Sequence, residues 1–139
     1  MEPTGDRPEG AEILQGMRIL IANDMPDLVQ GLVTYLEGFG AIVEIVNDGV
    51  GVLRKISLGM EFGLLILDIQ MLVIHGDQVI KSLRGVRNTT SILIYSTSSR
   101  TELEMKGITE PSIQVSASLE EVMEKILSLL KGESTIITD

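Results

Sequence analysis

The sequence predicts an α/β domain in three layers, a five-stranded parallel sheet with helices on both faces. Two observations carry the prediction. Five short apolar runs alternate along the chain with five amphipathic stretches of helical spacing. The central run, Leu64 to Leu67, is apolar at every position, as in a strand buried on both faces of a parallel sheet.

The elements follow in order. Residues 1–16 are rich in Gly, Pro and Glu and hold no apolar stretch, so a flexible N-terminal tail without a signal peptide is expected. Met17 to Ala22 (MRILIA) has strand length. Pro26 to Phe39 places Leu28, Leu32, Tyr35, Leu36 and Phe39 at helical spacing, with Pro26 suited to a first turn and Gly38 and Gly40 to a stop. Ala41 to Val46 predicts a second strand. Asn47-Asp48-Gly49 is turn chemistry able to cap a helix over Val50 to Leu58. Gly63 to Leu67 is the third strand, Asp77 to Arg84 a helix, and Ser91 to Ser96 (SILIYS) the fourth strand. Arg100 to Lys106 predicts a short helix, and Ser112 to Val115 a short fifth strand after Pro111. Ser118 with Glu121 three residues on forms a capping box that opens a last helix, to Lys131. A loose C-terminal tail, 132–139, is expected beyond the domain at 17–131.

Composition narrows the function. A chain of 139 residues suits one domain, and hydrophobic residues at 44% supply a core that must be aliphatic, because aromatics are only 3%. A net charge of −9 argues against nucleic acid and against anionic membrane surfaces as partners. There is no cysteine, which excludes disulfides and thiolate chemistry and is compatible with a cytoplasmic location. No apolar run approaches the length of a membrane span.

In open parallel sheets, ligands gather beyond the carboxyl ends of the strands. The residues there are Asn23 and Asp24 after the first strand, Asp68 after the third, and Ser96 with Thr97 at the fourth. Paired carboxylates suit Mg²⁺, a hard cation that takes oxygen ligands. A carboxylate can also attack phosphorus to give an aspartyl phosphate, and a hydroxyl beside it can hydrogen-bond the phosphoryl oxygens. Such transfer needs mainly positioning and charge neutralisation. A lone Asp after a strand is more often a turn residue or a cap; an apolar strand ending abruptly in Asp68, with Asp24 ending another, shifts the balance.

Over roughly Met17 to Leu130 the chain resembles the receiver domain of two-component response regulators. The resemblance rests on MRILIANDMPDLVQGLVTYLEGFGAIVEIVNDG and on LLILDIQMLVIHGDQVIKSLR, with Asp68-Ile69-Gln70-Met71 followed by Gly76. It implies a flavodoxin-like sheet of order 2-1-3-4-5. It implies Asp68 as phospho-acceptor, Asp24 as a direct Mg²⁺ ligand beside Asp68, the Gln70 backbone carbonyl as a third, and Ser96 or Thr97 as the switch hydroxyl. It further implies a histidine kinase or phosphotransfer protein as phosphodonor. No output domain is expected after Gly132, so a downstream protein partner or homodimer formation is expected to carry the signal.

The departures from the family matter as much. Asn23 stands where the first of two paired acids is usual, so its contact with a metal is weak or through water, and Mg²⁺ binding is expected to be weak or absent. Leu72 replaces a proline and His75 an aspartate. The family's lysine after the fifth strand is absent, its position falling at Val115 or Ser116 within Gln114-Val115-Ser116-Ala117; Lys106 is the candidate substitute. Two readings follow, a working phospho-receiver with weakened switching, and a pseudo-receiver that binds a protein partner without phosphorylation. An enzyme is not expected. Aspartyl-phosphate phosphohydrolases need a second Asp where Gln70 stands, Gly49-Val50-Gly51 lacks the rest of a dinucleotide motif, and few aromatics are available to stack on a flavin. His75, the lone histidine, is expected to be an exposed loop residue, and Glu120, Glu121 and Glu124 a solvated helix face.

Overall fold

The computed structural model describes residues 8–71 and 75–132. Five strands, β1 (Arg18–Ala22), β2 (Ile42–Val46), β3 (Leu64–Leu67), β4 (Ser91–Ser96) and β5 (Ser112–Gln114), alternate with five helices. The helices are α1 (Pro26–Glu37), α2 (Gly49–Ser57), α3 (Gly76–Gly85), α4 (Arg100–Met105) and α5 (Leu119–Leu130). Every strand pairing is parallel and the order is β2-β1-β3-β4-β5, as the resemblance implied.

The sheet divides the core in two, because successive strand residues face opposite sides. Ile19, Ile21, Leu64, Ile66, Leu93 and Tyr95 pack with Val29, Leu32 and Leu36 of α1 and with Val122, Met123 and Ile126 of α5. Leu20, Ala22, Leu65, Leu67, Ile92 and Ile94 pack with Val52 of α2, Val79, Ile80 and Leu83 of α3, and Leu103 of α4. β3 is buried at all four positions, which is why its sequence runs apolar without alternation.

Local chemistry sets the helix ends. Pro26 opens α1 in its first turn. Gly40, at φ 91°, takes the left-handed conformation that turns the chain from α1 into β2. The Asp48 carboxylate caps α2 by accepting from the Gly51 N–H at 3.0 Å, so Gly49-Val50-Gly51 is a first helical turn and not a phosphate loop. Ser118 and Glu121 cap each other's backbone at the start of α5. His75 is the exposed residue preceding α3, its N–H bonded to the Gln78 side chain.

One expectation is corrected. The stretch expected as a tail over 1–16 contains a 3₁₀ turn at Ala11–Leu14. Ala11 and Leu14 are fully buried in the α1–α5 side of the core. Two apolar residues three apart meet on one face of such a turn, whereas Ile13 between them stays exposed. Residues 1–7, residues 72–74 with Leu72 among them, and residues 133–139 lie outside the described residues. Among the described residues, no helix is long and apolar enough to cross a membrane.

Candidate functional site

Ala22 of β1 pairs with Leu67 of β3, and Leu67 with Ile94 of β4, so β1 and β3 end level and β4 runs two residues further to Ser96. Neighbouring strands lie about 4.8 Å apart, and the residues following each therefore crowd one rim of the sheet. The Asp68 N–H continues the ladder by donating to the Ala22 carbonyl at 3.0 Å, which sets Asp68 beside Asn23.

Asp68 is half-buried at the end of the most buried strand. Its Oδ1 accepts from the Gln70 N–H at 3.1 Å. Burial pushes its carboxyl above the ordinary value of 3.8, and the negative charge of Asp24 adds to the rise; the backbone N–H groups of Gln70 and Ile69 work against it. Gly76 is needed behind this loop. A Cβ there would lie 2.5 Å from the Asp68 carbonyl oxygen and 2.8 Å from the Ile69 Cα. The glycine, quoted in the motif for its spacing, thus lets α3 close against the turn that presents Asp68.

Asn23 is buried, and its Oδ1 accepts from the Met25 N–H at 2.7 Å. This turn leaves Asp24, partly exposed, as the free carboxylate opposite Asp68. Among the described residues no three His, Cys, Asp or Glu side chains converge. The charges at this rim are the Asp24 carboxylate and Asp68, whose Oδ1 is the oxygen held by the Gln70 N–H. Two carboxylates with nothing but oxygen to offer fit a hard cation that keeps several waters.

Ser96 is buried at the end of β4. Its Oγ accepts from the Ser98 N–H at 3.1 Å, leaving the hydroxyl proton available to donate. Thr97 is exposed, and its carbonyl accepts from the Gln114 side-chain amide at 3.3 Å. Of the two positions expected for the lysine, Val115 packs against the α1–α5 side of the core and Ser116 is exposed. Lys106 follows the end of α4 remote from Ser96 and is exposed, so it does not substitute. The side chain that reaches the rim from β5 is Gln114. Sequence reading passed over it because the strand register, Ser96 opposite Gln114, was not available to it.

Comparison with known proteins agrees with the fold. Residues 19–114 match the family described as the response regulator receiver domain. The chain belongs to that family. Among curated proteins nothing matches. Among solved structures, the Francisella response regulator 1452 receiver domain is 22% identical with a TM-score of 0.74, covering 84% of this chain and 98% of its own. A CheY-like receiver domain protein from Methanospirillum hungatei is 21% identical, with a TM-score of 0.74 and coverage of 85% and 96%. TrrA of Thermotoga maritima, solved in complex with Mg²⁺-BeF, is 27% identical with a TM-score of 0.70, covering 81% of this chain and 98% of its own.

Proposed function

We propose that this chain is a phospho-receiver of a two-component system, in which Asp68 takes a phosphoryl group from a histidine kinase or phosphotransfer protein. The single observation that carries the reading is the pair Asp24–Asp68. A half-buried carboxylate ends the central strand, with a second carboxylate close enough to raise its pKa. Burying like charges together is costly and has no structural use visible here, whereas a nucleophile beside a metal ligand requires it.

In the reaction, an Asp68 oxygen attacks the phosphorus of a phosphohistidine. The new P–O bond forms as the P–N bond breaks, and the imidazole keeps the electron pair. Asp24, Asp68 and the Gln70 carbonyl would hold Mg²⁺, which when bound supplies neutralisation of the phosphoryl oxygens. Ser96 Oγ–H donates to one of those oxygens. With Asn23 contributing no charge, cation binding is weak. The output is a contact with a downstream protein or with a second copy of the chain.

A second reading, a pseudo-receiver that binds its partner without phosphorylation, is favoured by one observation. At the two positions where the resemblance calls for a lysine stand Val115, a residue packed on the core, and Ser116, neither of which carries a charge. One assay separates the two. The chain is incubated with Mg²⁺ and a small phosphodonor and the intact protein is weighed. A gain of one phosphoryl group, abolished in Asp68→Asn, supports the first reading. No gain at any Mg²⁺ concentration overturns it in favour of the second.

A further inference from the structure

β5 has only three residues and lies at the sheet edge, so its backbone ladder alone holds it weakly. Two side chains supplement that ladder. Arg100, the first residue of α4, directs its guanidinium at the segment entering β5. Nη2 donates to the Ile108 carbonyl at 2.6 Å, and Nη1 to the Glu110 carbonyl at 2.7 Å and to Ser112 Oγ at 3.0 Å. Its Nε is buried, with the Glu104 carboxylate at 3.5 Å in ion-pair range but outside hydrogen-bond geometry. At the other end of β5, the Gln114 amide crosses to the Thr97 carbonyl.

The Gln114 tie ends on the short loop that follows Ser96, and the Arg100 tie starts just beyond that loop, on the first residue of α4. Thr97 belongs to that loop, and Arg100 follows it directly. Ser112 and Gln114 are the two end residues of β5. The network extends one step further, because the Glu110 carboxylate lies 3.6 Å from Arg84 Nε, and Arg84 Nη1 donates to the Asn88 and Thr90 carbonyls.

We infer that Arg100 and Gln114 are positioning residues that clamp β5 to the loop after β4, so that the Ser96 hydroxyl and β5 move as one unit. A rigid planar fork with several donors suits this task, and a flexible ammonium does not. The two side chains do for loop and strand what a single cation from β5 could do only by reaching the phosphoryl group. The inference rests on the reading of Asp68 for its signalling consequence, but not for the clamp itself.

Two variants of the full chain, Arg100→Lys and Gln114→Ala, test it. The first arm is amide hydrogen exchange without phosphodonor. The clamp predicts that either variant speeds exchange at the Ser98 and Val115 amides together, by about tenfold, with the rest of β4 unchanged. Faster exchange confined to residues 106–112 in Arg100→Lys, with Ser98 unmoved in Gln114→Ala, overturns it. The second arm adds Mg²⁺ and phosphodonor and compares amide shifts at Ile113 and Val115. The variants are expected to gain the same mass as the parent but to lose its phosphorylation-dependent shifts. A merely structural role would lower Tm and leave those shifts intact, overturning the inference. If the parent chain gains no mass, the reading of Asp68 fails, and the exchange arm alone decides the clamp.

Discussion

Asp24 stands close enough to Asp68, across the β1–β3 pairing, that its negative charge adds to the effect of burial in raising the Asp68 pKa. The site therefore disfavours its own ionised state when no cation is bound.

A stability prediction follows for Asp68→Asn in a chelating buffer. The folded-state pKa of Asp68 lies above its ordinary value of 3.8. The cost of ionising it in the fold is therefore fully present above the folded pKa. It is relieved as pH falls through that value toward 3.8, because the folded state takes the proton first. Asn keeps the oxygen that accepts from Gln70 and removes the charge. The variant is expected to melt at a higher temperature than the parent at pH 7, with the difference vanishing below the ordinary value. Thermal denaturation across pH checks this; equal Tm at pH 7 would contradict it.

Glu44 has the opposite sign. Its carboxylate lies 2.6 Å from Arg18 Nη2 and 3.0 Å from Lys55 Nζ. Hydrogen bonds from Arg18, then Lys55, hold its pKa below the ordinary 4.5. The stabilisation is present above that value and lost as pH falls through the lower folded pKa. Because all three side chains remain partly solvated, Glu44→Gln is expected to cost under about 1 kcal/mol at neutral pH, and less in high salt. Urea melts at pH 7 and pH 3, with and without salt, measure it.

Gly76→Ala is expected to destabilise the fold by about 1–3 kcal/mol, the range for forcing an added carbon into a packed site. The nearest obstacle is the Asp68 backbone oxygen, which cannot swing aside as a side chain would. The variant should also take up a phosphoryl group more slowly than the parent under conditions where both are folded. Chemical denaturation and time-resolved intact mass report the two effects separately.

Leu14→Ala tests whether the 3₁₀ turn before β1 belongs to the domain. Leu14 is fully buried in the α1–α5 side of the core. Truncating it is expected to cost about 2–5 kcal/mol, as for other buried leucines. A loss below about 0.5 kcal/mol, typical of surface positions, would show that the turn adds nothing to the fold.

The fold was largely legible because each element announces itself locally. β3 is apolar throughout, Pro26 and the Ser118–Glu121 box mark helix starts, and Asp48 caps α2. The places of Asp24, Asp68 and Ser96 at one rim were legible because Asp68 directly follows β3, Ser96 ends β4 and Asp24 stands two residues past β1. What was not legible depends on register and on long-range packing. Gln114 is set apart from Val115 only by standing opposite Ser96 on the neighbouring strand. Arg100 reads as an ordinary charge at a helix start until its contacts with residues 108–112 are known. Ala11, Ile13 and Leu14 form too short an apolar stretch to announce an element, and only packing against the α1–α5 side of the core buries Ala11 and Leu14 while Ile13 stays exposed.

Restoring the second acid bears directly on the cation. In the parent chain the Asn23 Oδ1 is occupied by the Met25 N–H, so Asn23 offers a metal neither charge nor a free oxygen of that turn. In Asn23→Asp one carboxylate oxygen can keep the turn while the other adds a negative charge beside Asp24 and Asp68. Cation affinity rises with the number of charged ligands, so Mg²⁺ should bind more tightly, by on the order of tenfold or more, a gain of about 1.4 kcal/mol. The same variant should be less stable than the parent without metal, because a third carboxylate joins two that already repel. Calorimetric titration with Mg²⁺ and melting in chelator test both halves together. Unchanged Mg²⁺ affinity together with unchanged metal-free stability would mean that residue 23 lies too far from Asp24 and Asp68 to share a cation with them.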